Sequence, residues 1–164
     1  MNTFPKITTS RCELDRICRK DIPILQSILC DDITGKYFPE LYDFTTSEDD
    51  MKQLLSSFDN LFVRKEGILW GIFLMNELIG FIAVMDIPDY STLLYAMHPA
   101  HRSKGYMCEC ITAVIDYISR NKICDYLRSE VYGGNIASIK LLQAANFEIV
   151  ERNEQKVFFK RVLN

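Results

Sequence analysis

The strongest constraint on the fold is an abrupt change of hydrophobic period around residues 98–106. The run STLLYAM, residues 91–97, is apolar and strand-like, and it ends at His98-Pro99. After a short basic turn, apolar residues recur at helical spacing and form one stripe: Met107, Cys110, Ile111, Val114, Ile115 and Ile118. A strand that turns directly into an amphipathic helix predicts a sheet with helices packed on it.

The N-terminal half adds two further helices. The segment from Ser10 to Arg19 alternates loosely and predicts a first strand, and Arg19-Lys20-Asp21 opens a helix that runs to about Asp31. Gly35 and Pro39 mark a loop. The next segment predicts a second amphipathic helix, because a serine precedes three acidic residues and apolar residues then recur at helical spacing.

The rest of the chain alternates between strands and helices. ILWGIFLM and LIGFIAVMD flank Asn76-Glu77, which predicts a hairpin. Beyond the central helix, YLRSEVY predicts a strand, NIASIKLLQAAN a helix, and FEIVE with KVFFKRVL a closing hairpin. The predicted order is β-α-α-β-β-β-α-β-α-β-β, an α/β fold (α+β, mixed sheet) with helices packed on the sheet.

Composition narrows the function. The chain has 164 residues, 48% of them hydrophobic, which predicts a single domain over residues 1–164. A net charge of −3 with interspersed signs argues against nucleic-acid binding. No apolar run approaches a membrane span, and the start MNTFPKITTSR lacks a secretory signal pattern, so we expect a cytoplasmic protein without a membrane partner.

The six cysteines do not predict a metal site. They are scattered without a CxxC pair, and the chain has only two histidines. Cys108 and Cys110 lie two apart in the predicted helix and therefore point to different faces. We expect no metal, and reduced thiols that pack as small hydrophobic groups.

The turn HPAHRSKGYMCEC, residues 98–110, has the composition of an anion site. A helix begins with unpaired N–H groups and a partial positive charge. Arg102, Lys104 and Gly105 add charge and room for a phosphate to approach closely. Taken alone, the same composition also fits an ordinary exposed turn.

The order of motifs around this turn resembles a known family. LLYAMHPAHRSKGYMCECITAVIDYI, followed by SEV and NIASIKLLQAANF, is similar to the GNAT superfamily of acetyl-CoA-dependent N-acetyltransferases, and most similar to the branch of ribosomal-protein N-terminal acetyltransferases. SRCELDRICRKDIPIL and WGIFLMNELIGFIAV extend the resemblance over nearly the whole chain. It implies the acyl-CoA N-acyltransferase fold, with acetyl-CoA as co-substrate and no metal.

The resemblance assigns the turn to the CoA pyrophosphate. The family motif is Arg or Gln, two residues, Gly, one residue, then Gly or Ala, so Arg102 and Gly105 match and Met107 departs. Ser103 stands where glycine is frequent. We expect retained phosphate binding with a fit that Met107 weakens. The loop residues implied as pyrophosphate contacts are Ser103, Lys104, Gly105, Tyr106, Met107 and Cys108.

Two more cofactor contacts are implied by the resemblance. The strand before the turn is expected to carry a bulge and to splay from its neighbour, so that main-chain groups of Tyr95, Ala96 and Met97 pair with the pantetheine amides. Asn135 is expected to contact the same arm. As a favoured N-cap residue, Asn135 has a second role open to it at the start of the last long helix.

Acetyl transfer to an amine needs a proton acceptor and benefits from a donor to the leaving sulfur. By resemblance Glu130 is the acceptor, directly or through water, and an ion pair with Arg128 is the alternative because alternation puts both on one face. Many relatives have a donor tyrosine seven residues after the asparagine, where this chain has Leu142. Ser138 is the candidate donor, and a serine bonded to its own backbone is the alternative.

Other side chains are weaker candidates. The only histidines, His98 and His101, flank the phosphate turn, so we do not expect them to be catalytic. Trp70, Tyr37 and Phe38 either wall the acceptor groove or belong to the core.

The predicted function is therefore N-acetyl transfer, by direct attack in a ternary complex, to a protein N-terminus or a small-molecule amine. A non-catalytic acyl-CoA-binding module is the alternative; Leu142 and Met107 favour it, and Glu130, Asn135 and Ser138 disfavour it. The sequence is compatible with a monomer or a homodimer.

Overall fold

The computed structural model describes residues 3–42, 45 and 47–163. Its strands are β1 (Ile7–Thr8), β2 (Glu13–Asp15), β3 (Gly67–Leu74), β4 (Glu77–Met85), β5 (Thr92–Met97), β6 (Tyr126–Tyr132), β7 (Glu148–Arg152) and β8 (Lys156–Val162). Its α-helices are α1 (Ile22–Leu29), α2 (Asp32–Tyr37), α3 (Pro39–Tyr42), α4 (Glu48–Arg64), α5 (Tyr106–Arg120) and α6 (Ile136–Ala144). Short 3₁₀ turns, Arg19–Asp21 and Pro99–His101, precede α1 and α5.

The strands form one mixed sheet in the order β1-β2-β3-β4-β5-β6-β8-β7. Only the central pair β5 and β6 is parallel among the described strands, and the other neighbours are antiparallel. The predicted α/β class with a mixed sheet is confirmed. A parallel pair in the middle of an otherwise antiparallel sheet follows from the chain crossing over through α5.

Helices cover both faces of the sheet. On one face the apolar stripe of α5, including Ile111, packs with α6 against the buried Trp70. On the other face Leu25 of α1 packs with α4 against Leu69. The Trp70 indole N–H donates to the Pro5 carbonyl at 2.8 Å, which satisfies the buried donor and places this residue in the core, not in a groove.

Two predictions for the N-terminal half are wrong in detail. The strand expected over Ser10–Arg19 is limited to β2, which forms a hairpin with the preceding β1, because Thr9 and Cys12 close a turn through a backbone hydrogen bond of 2.9 Å and the Thr9 hydroxyl. The loop expected at Gly35 and Pro39 contains the short helices α2 and α3.

The local reason for α2 is its cap. The Asp31 carboxylate accepts a hydrogen bond from the Thr34 N–H at 3.1 Å, which satisfies one of the free donors of the first turn. Pro39 occupies the first position of α3, where a missing N–H costs nothing.

The β3–β4 hairpin also differs slightly from its prediction. It turns at Met75-Asn76, with φ of 50° and 68°, one residue earlier than predicted.

The two parallel strands diverge, which opens a gap between β5 and β6. They pair only at Thr92 and Arg128 among the described residues, and the Ser129 hydroxyl adds a bond to the Leu93 carbonyl at 3.1 Å. The expected splay is thus observed. The expected bulge is not, because β5 keeps an unbroken register with β4 as far as Met97. The gap opens because β6 leaves, and β5 needs no distortion.

The cysteines in the described chain are free thiols. Three of them, Cys12, Cys110 and Cys124, are buried, and burial raises the pKa of each thiol. They therefore stay protonated and pack as predicted, although Cys18 and Cys30 are exposed.

Two kinds of feature are absent from the described part of the chain. No helix there is both long and apolar enough to cross a bilayer. No group of three or more His, Cys, Asp or Glu side chains is arranged to hold a metal ion.

Candidate active site

The splay opens a cleft of about 370 Å³, called the main cleft, between β5, α2 and the first turns of α5 and α6. All the predicted site residues line it except Glu130 and Lys104. A side cavity of about 20 Å³ adjoins it and is lined by Glu130 together with Tyr95, Asn135 and Ser138, which also line the main cleft. The tertiary structure thus brings the predicted phosphate turn and the predicted acid and base to two spaces that share part of their lining.

The phosphate turn has the backbone of an anion site. Ser103 and Gly105 both have positive φ, 60° and 81°, the region that glycine adopts most easily. The N-cap of the 15-residue helix α5 is Gly105, which has no side chain to bond the first-turn N–H groups, and these groups have no partner within a helix. Tyr106, Met107 and Cys108 of this first turn line the main cleft. An uncapped helix N-terminus that opens into a cleft fits a bound phosphate group.

The Arg102 side chain ties the turn to α2 and β5. Its Nη2 donates to Asp31 Oδ2 at 2.6 Å and to Thr34 Oγ1 at 3.2 Å, and its Nε donates to the Met97 carbonyl at 3.0 Å. The two charged side chains are only 26% and 17% exposed, so the pair is largely shielded from water. Arg102 therefore holds the end of the main cleft together through its side chain.

Replacing Asp31 by Asn tests this tie. Asn keeps the cap acceptor but removes the charge that faces Arg102, so we expect the free energy of unfolding at neutral pH to fall by about 2 kcal/mol. Burial raises the pKa of Asp31, but hydrogen bonds from Arg102 and the Thr34 backbone outweigh it and hold the pKa below its ordinary 3.8. A lowered folded pKa means that the stabilisation is present above 3.8 and is lost as pH falls through the lowered value.

Chemical denaturation at neutral pH and again below that value measures the effect. Wild type and variant should converge in stability on acidification, because Asp31 is then neutral in both states of the wild type. The exposed neighbour Asp32, changed to Asn, serves as control. A stability difference of the same size at both pH values would contradict the charge argument.

Arg11 supports the turn from the β1–β2 hairpin and was missed by the sequence analysis. Its guanidinium lies over the Tyr106 ring at 4.4 Å, its Nε donates to Glu109 Oε2 at 2.7 Å, and its Nη1 donates to the Lys104 carbonyl at 2.9 Å. Hydrogen bonds from Thr9 and then from Arg11 lower the pKa of Glu109 despite partial burial. No spacing or motif signals a contact between residues 98 positions apart.

Two residues of the turn play different parts from those expected. Lys104 donates from Nζ to the Ala100 carbonyl at 2.8 Å, so its side chain lies against the turn and not along the main cleft. Met107 is only 8% exposed and belongs to the core cluster of α5. Most of the Met107 side chain, which was expected to disturb a cofactor, is therefore buried in the core. The weakened cofactor fit expected from Met107 stays a prediction.

The two histidines lie at the phosphate end. His98 Nδ1 accepts the Ala100 N–H at 3.2 Å and caps the 3₁₀ turn. His101 lines the main cleft, and its Nδ1 is buried without a hydrogen-bond partner in the described structure. Burial, helped by Lys104 and His98, lowers the pKa of His101, so this ring is neutral at neutral pH. Their exclusion from acid–base catalysis stays a prediction.

At the other end of the main cleft, Asn135 caps α6. Its Oδ1 accepts the Ser138 N–H at 3.2 Å, so the capping role left open by the sequence is observed. Leu142, in the position of the expected tyrosine, is fully buried in the core, and a side chain there packs on the sheet instead of entering the main cleft. Tyr37 and Phe38 line both spaces, which places these aromatic residues at the wall.

Glu130 forms an ion pair, but not with the predicted partner. Lys156 Nζ lies 3.1 Å from its Oε2, and this contact raises the pKa of Lys156. The cross-strand register sets Tyr132 opposite Lys156, which makes Lys156 a diagonal neighbour of Glu130. Arg128 instead lies over the rings of Tyr90 and Tyr126, each at 5.3 Å. The Glu130 side chain is 52% exposed and open to an acceptor from solvent.

Comparison with known proteins gives the family. A family model described as "Acetyltransferase (GNAT) domain" matches residues 11–148. The chain belongs to the GNAT acetyltransferase family. The predicted N-acetyltransferase activity and the recognition of the superfamily are thereby confirmed. This GNAT chain is similar to the uncharacterized N-acetyltransferase YoaA of Bacillus subtilis (strain 168), with 26% identity over 150 residues that cover 88% of this chain and 84% of that protein.

Solved GNAT structures share the fold. RimL, an alpha-N-protein acetyltransferase of a ribosomal protein solved in complex with coenzyme A, matches with a TM-score of 0.84 and 15% identity over 97% of this chain and 98% of that one. The ribosomal-protein-alanine acetyltransferase of Vibrio fischeri matches with a TM-score of 0.86 and 13% identity over 98% and 97% of the two chains. Identities this low describe the fold of the GNAT chain and leave its acceptor open.

Main-chain groups of β5 in this GNAT chain face the main cleft where β6 leaves. On β5, the Leu93 and Met97 carbonyls point to the side that β6 leaves, where they accept hydrogen bonds from Ser129 and Arg102. The Ala96 carbonyl points to the opposite side, toward β4, where it lies 2.7 Å from the position that a Cβ on Gly80 would occupy. Alternation along β5 then directs the main-chain groups of Tyr95 into the gap. Of the three predicted pantetheine contacts, Tyr95 has the main chain best placed to pair with an amide.

Proposed function

We propose that this GNAT protein binds acetyl-CoA in the main cleft and catalyses transfer of the acetyl group to a primary amine in a ternary complex. The observation that carries the proposal is the uncapped N-terminus of α5, which opens into a cleft whose other end holds a carboxylate and a hydroxyl. Bound acetyl-CoA supplies an acetyl group activated as a thioester. Holding both reactants in place supplies much of the rate.

The binding residues act mainly through their backbone. The N–H groups of residues 103–108 hold the pyrophosphate, and the Tyr95 main chain pairs with the pantetheine arm. Asn135 already uses its Oδ1 to cap α6, so its amide NH₂ group is the part left to contact the arm. Arg102 acts from its side chain by holding the turn against α2.

Glu130 and Ser138 divide the proton chemistry. Glu130 takes a proton from the amine, directly or through one water, as the nitrogen bonds to the acetyl carbon. Ser138 hydrogen-bonds the sulfur as the carbon–sulfur bond breaks. Lys156 pairs with the carboxylate without covering it, since half of the Glu130 side chain remains exposed.

For the acceptor we propose a protein N-terminus. The side cavity next to Glu130 holds about 20 Å³, roughly the volume of one water molecule, so the body of the acceptor must lie outside it. An N-terminus reaches such a site with its first residue alone, whereas the described residues around Glu130 form no enclosure for a small molecule. A small-molecule amine is the second candidate.

Release of CoA thiol across a panel of acceptors tests the function. Peptides with free N-termini are expected to be turned over, and the same peptides with blocked N-termini are the matched controls. Faster turnover of polyamines, amino acids or aminoglycosides would contradict the acceptor and leave acetyl transfer standing. If acetyl-CoA at hundreds of micromolar neither raises the melting temperature nor yields thiol with any amine, the enzymatic proposal itself fails.

The thiols support a reducing location for this reaction. No cysteine of the described chain forms a disulfide, although two are exposed. Free exposed thiols are typical of the cytoplasm, and we propose that compartment.

A further inference from the structure

The Tyr95 phenol is a buried polar group that the mechanism above does not use. Its oxygen has no hydrogen-bond partner among the described residues. Burial raises the pKa of Tyr95 to about 12, and the Ser138 hydroxyl, which lies close by, lowers it only in part. The two hydroxyls approach each other without the geometry of a full hydrogen bond. A buried hydroxyl without a partner costs free energy unless a ligand supplies or completes one.

The position of this phenol is specific. Tyr95 lies on β5 where β6 has already left, and its side chain borders both the main cleft and the side cavity beside Glu130. Ser138, in the first turn of α6, borders the same two spaces. The two hydroxyls therefore meet at the junction between the cofactor side and the acceptor side of the site.

Ser138 needs such a neighbour. A serine hydroxyl has one proton and accepts as well as donates, so on a helix it is free to turn its proton toward a backbone carbonyl. No hydrogen bond of this kind from Ser138 Oγ is observed in the described structure; its backbone N–H, not its hydroxyl, bonds Asn135. If a second group donated a hydrogen bond to the serine oxygen, the serine proton would be left to bond a different acceptor.

We propose that Tyr95 is a positioning residue whose phenol donates a hydrogen bond to Ser138 Oγ, so that Ser138 directs its own proton at the departing sulfur. This role rests on the proposed acetyl transfer. It also gives Tyr95 a side-chain function in addition to the main-chain contact expected from the sequence.

The proton balance keeps the phenol neutral. A phenol with a pKa of about 12 does not give its proton to a thiolate, whose conjugate thiol is far more acidic, near 8.5 for an ordinary thiol. As the carbon–sulfur bond breaks, its electron pair stays on sulfur, and the Tyr95-to-Ser138 and Ser138-to-sulfur hydrogen bonds strengthen together. The thiolate takes its proton from water, and Glu130 later returns the amine proton to solvent.

An acceptor-free titration tests the inference. The protein is saturated with CoA, and the CoA thiolate is followed by its ultraviolet absorbance as pH is raised, with the desulfo-CoA complex subtracted to remove protein thiols and tyrosines. Donors to sulfur lower the pKa of the bound thiol, so Tyr95→Phe should raise that pKa by about one unit, a tenfold change in the ionisation constant. Ser138→Ala should raise it at least as far, and the double variant no further than Ser138→Ala.

Turnover provides a second readout. Tyr95→Phe should lower kcat about tenfold and change the KM for acetyl-CoA by less than about twofold, because the interaction acts on the leaving sulfur and not on ground-state binding. Ser138→Ala should likewise lower kcat more than cofactor affinity. Tyr117→Phe is the matched control, since Tyr117 packs against Trp70 at 6.0 Å between ring centroids and does not line the main cleft.

In the protein without cofactor, Tyr95→Phe removes a buried hydroxyl that has no hydrogen-bond partner among the described residues, so its melting temperature there should equal or exceed that of wild type, and misfolding would not explain a loss. An unchanged thiol pKa in Tyr95→Phe, or fully additive effects of the two substitutions, would overturn the positioning role while acetyl transfer continues. Failure of the wild type to bind CoA would instead overturn the proposed function, and this inference with it.

Discussion

Replacing Glu130 by Gln is expected to lower kcat by about a hundredfold or more, with the KM for acetyl-CoA within about twofold of wild type. Gln has nearly the same shape but cannot accept the amine proton. Glu130 lines the side cavity and not the main cleft, so cofactor binding should be unaffected. Initial rates over the full pH range measure the effect, because Gln cannot accept a proton at any pH.

The ion pair with Lys156 allows a structural role to be separated from a chemical one. If Glu130 served only to pair with Lys156, then Lys156→Met should be as harmful as Glu130→Gln. We expect Lys156→Met to retain most of the turnover, since it leaves the carboxylate in place. Glu151→Gln, at an exposed position of β7, is the surface control. Unchanged turnover of Glu130→Gln at every pH would show that Glu130 is not the base.

Replacing Gly105 by Val is expected to weaken CoA binding by about ten- to a hundredfold. An L-residue in the left-handed region costs about 1–2 kcal/mol and a β-branched residue more, and about 1.4 kcal/mol corresponds to a factor of ten in affinity. Gly105 has φ of 81°, and a Cβ there would lie 3.3 Å from Arg11 Nη2. The turn must therefore shift, and the first N–H groups of α5 shift with it.

Calorimetric titration with CoA measures this loss. Gly133→Ala is the matched control, because a Cβ at that position meets only the Gln155 carbonyl at an ordinary 3.7 Å. That variant should bind CoA like wild type. A dissociation constant of Gly105→Val within about threefold of wild type would contradict the role of the turn as the phosphate site.

The best sequence predictions concern segments whose signals are local. The strand Tyr126–Tyr132 has the bounds that its apolar alternation indicates, and the stripe from Met107 to Ile118 lies within α5. Periods of two and of 3.6 residues reflect burial of one face, so a short window of sequence carries them. The same holds for Asn135, whose capping role follows from its side chain and its neighbours alone.

Predictions that depended on distant neighbours were less successful. Gly35 and Pro39 indicated a loop, yet α2 forms there, and its cap residue Asp31 also binds Arg102, which is 71 positions away. Alternation placed Glu130 and Arg128 on one face but could not show that Lys156 of β8 lies closer. Such contacts are set by strand register and helix packing, which no short window of sequence records.

The sequence by itself determined the strand and helix periods, the phosphate turn with its glycine, and the chemical groups available: a carboxylate, a hydroxyl, and an asparagine that caps a helix. Only the tertiary structure decided which of these groups meet. The divergence of β6 from β5 exposes the Tyr95 main chain, and its phenol borders the same spaces as Ser138. The β1–β2 hairpin brings Arg11 to the turn from the other edge of the sheet. The physical reason is that local periodicity follows from burying one face of a segment, whereas a site forms from side chains far apart in sequence that are held together by packing of the whole sheet.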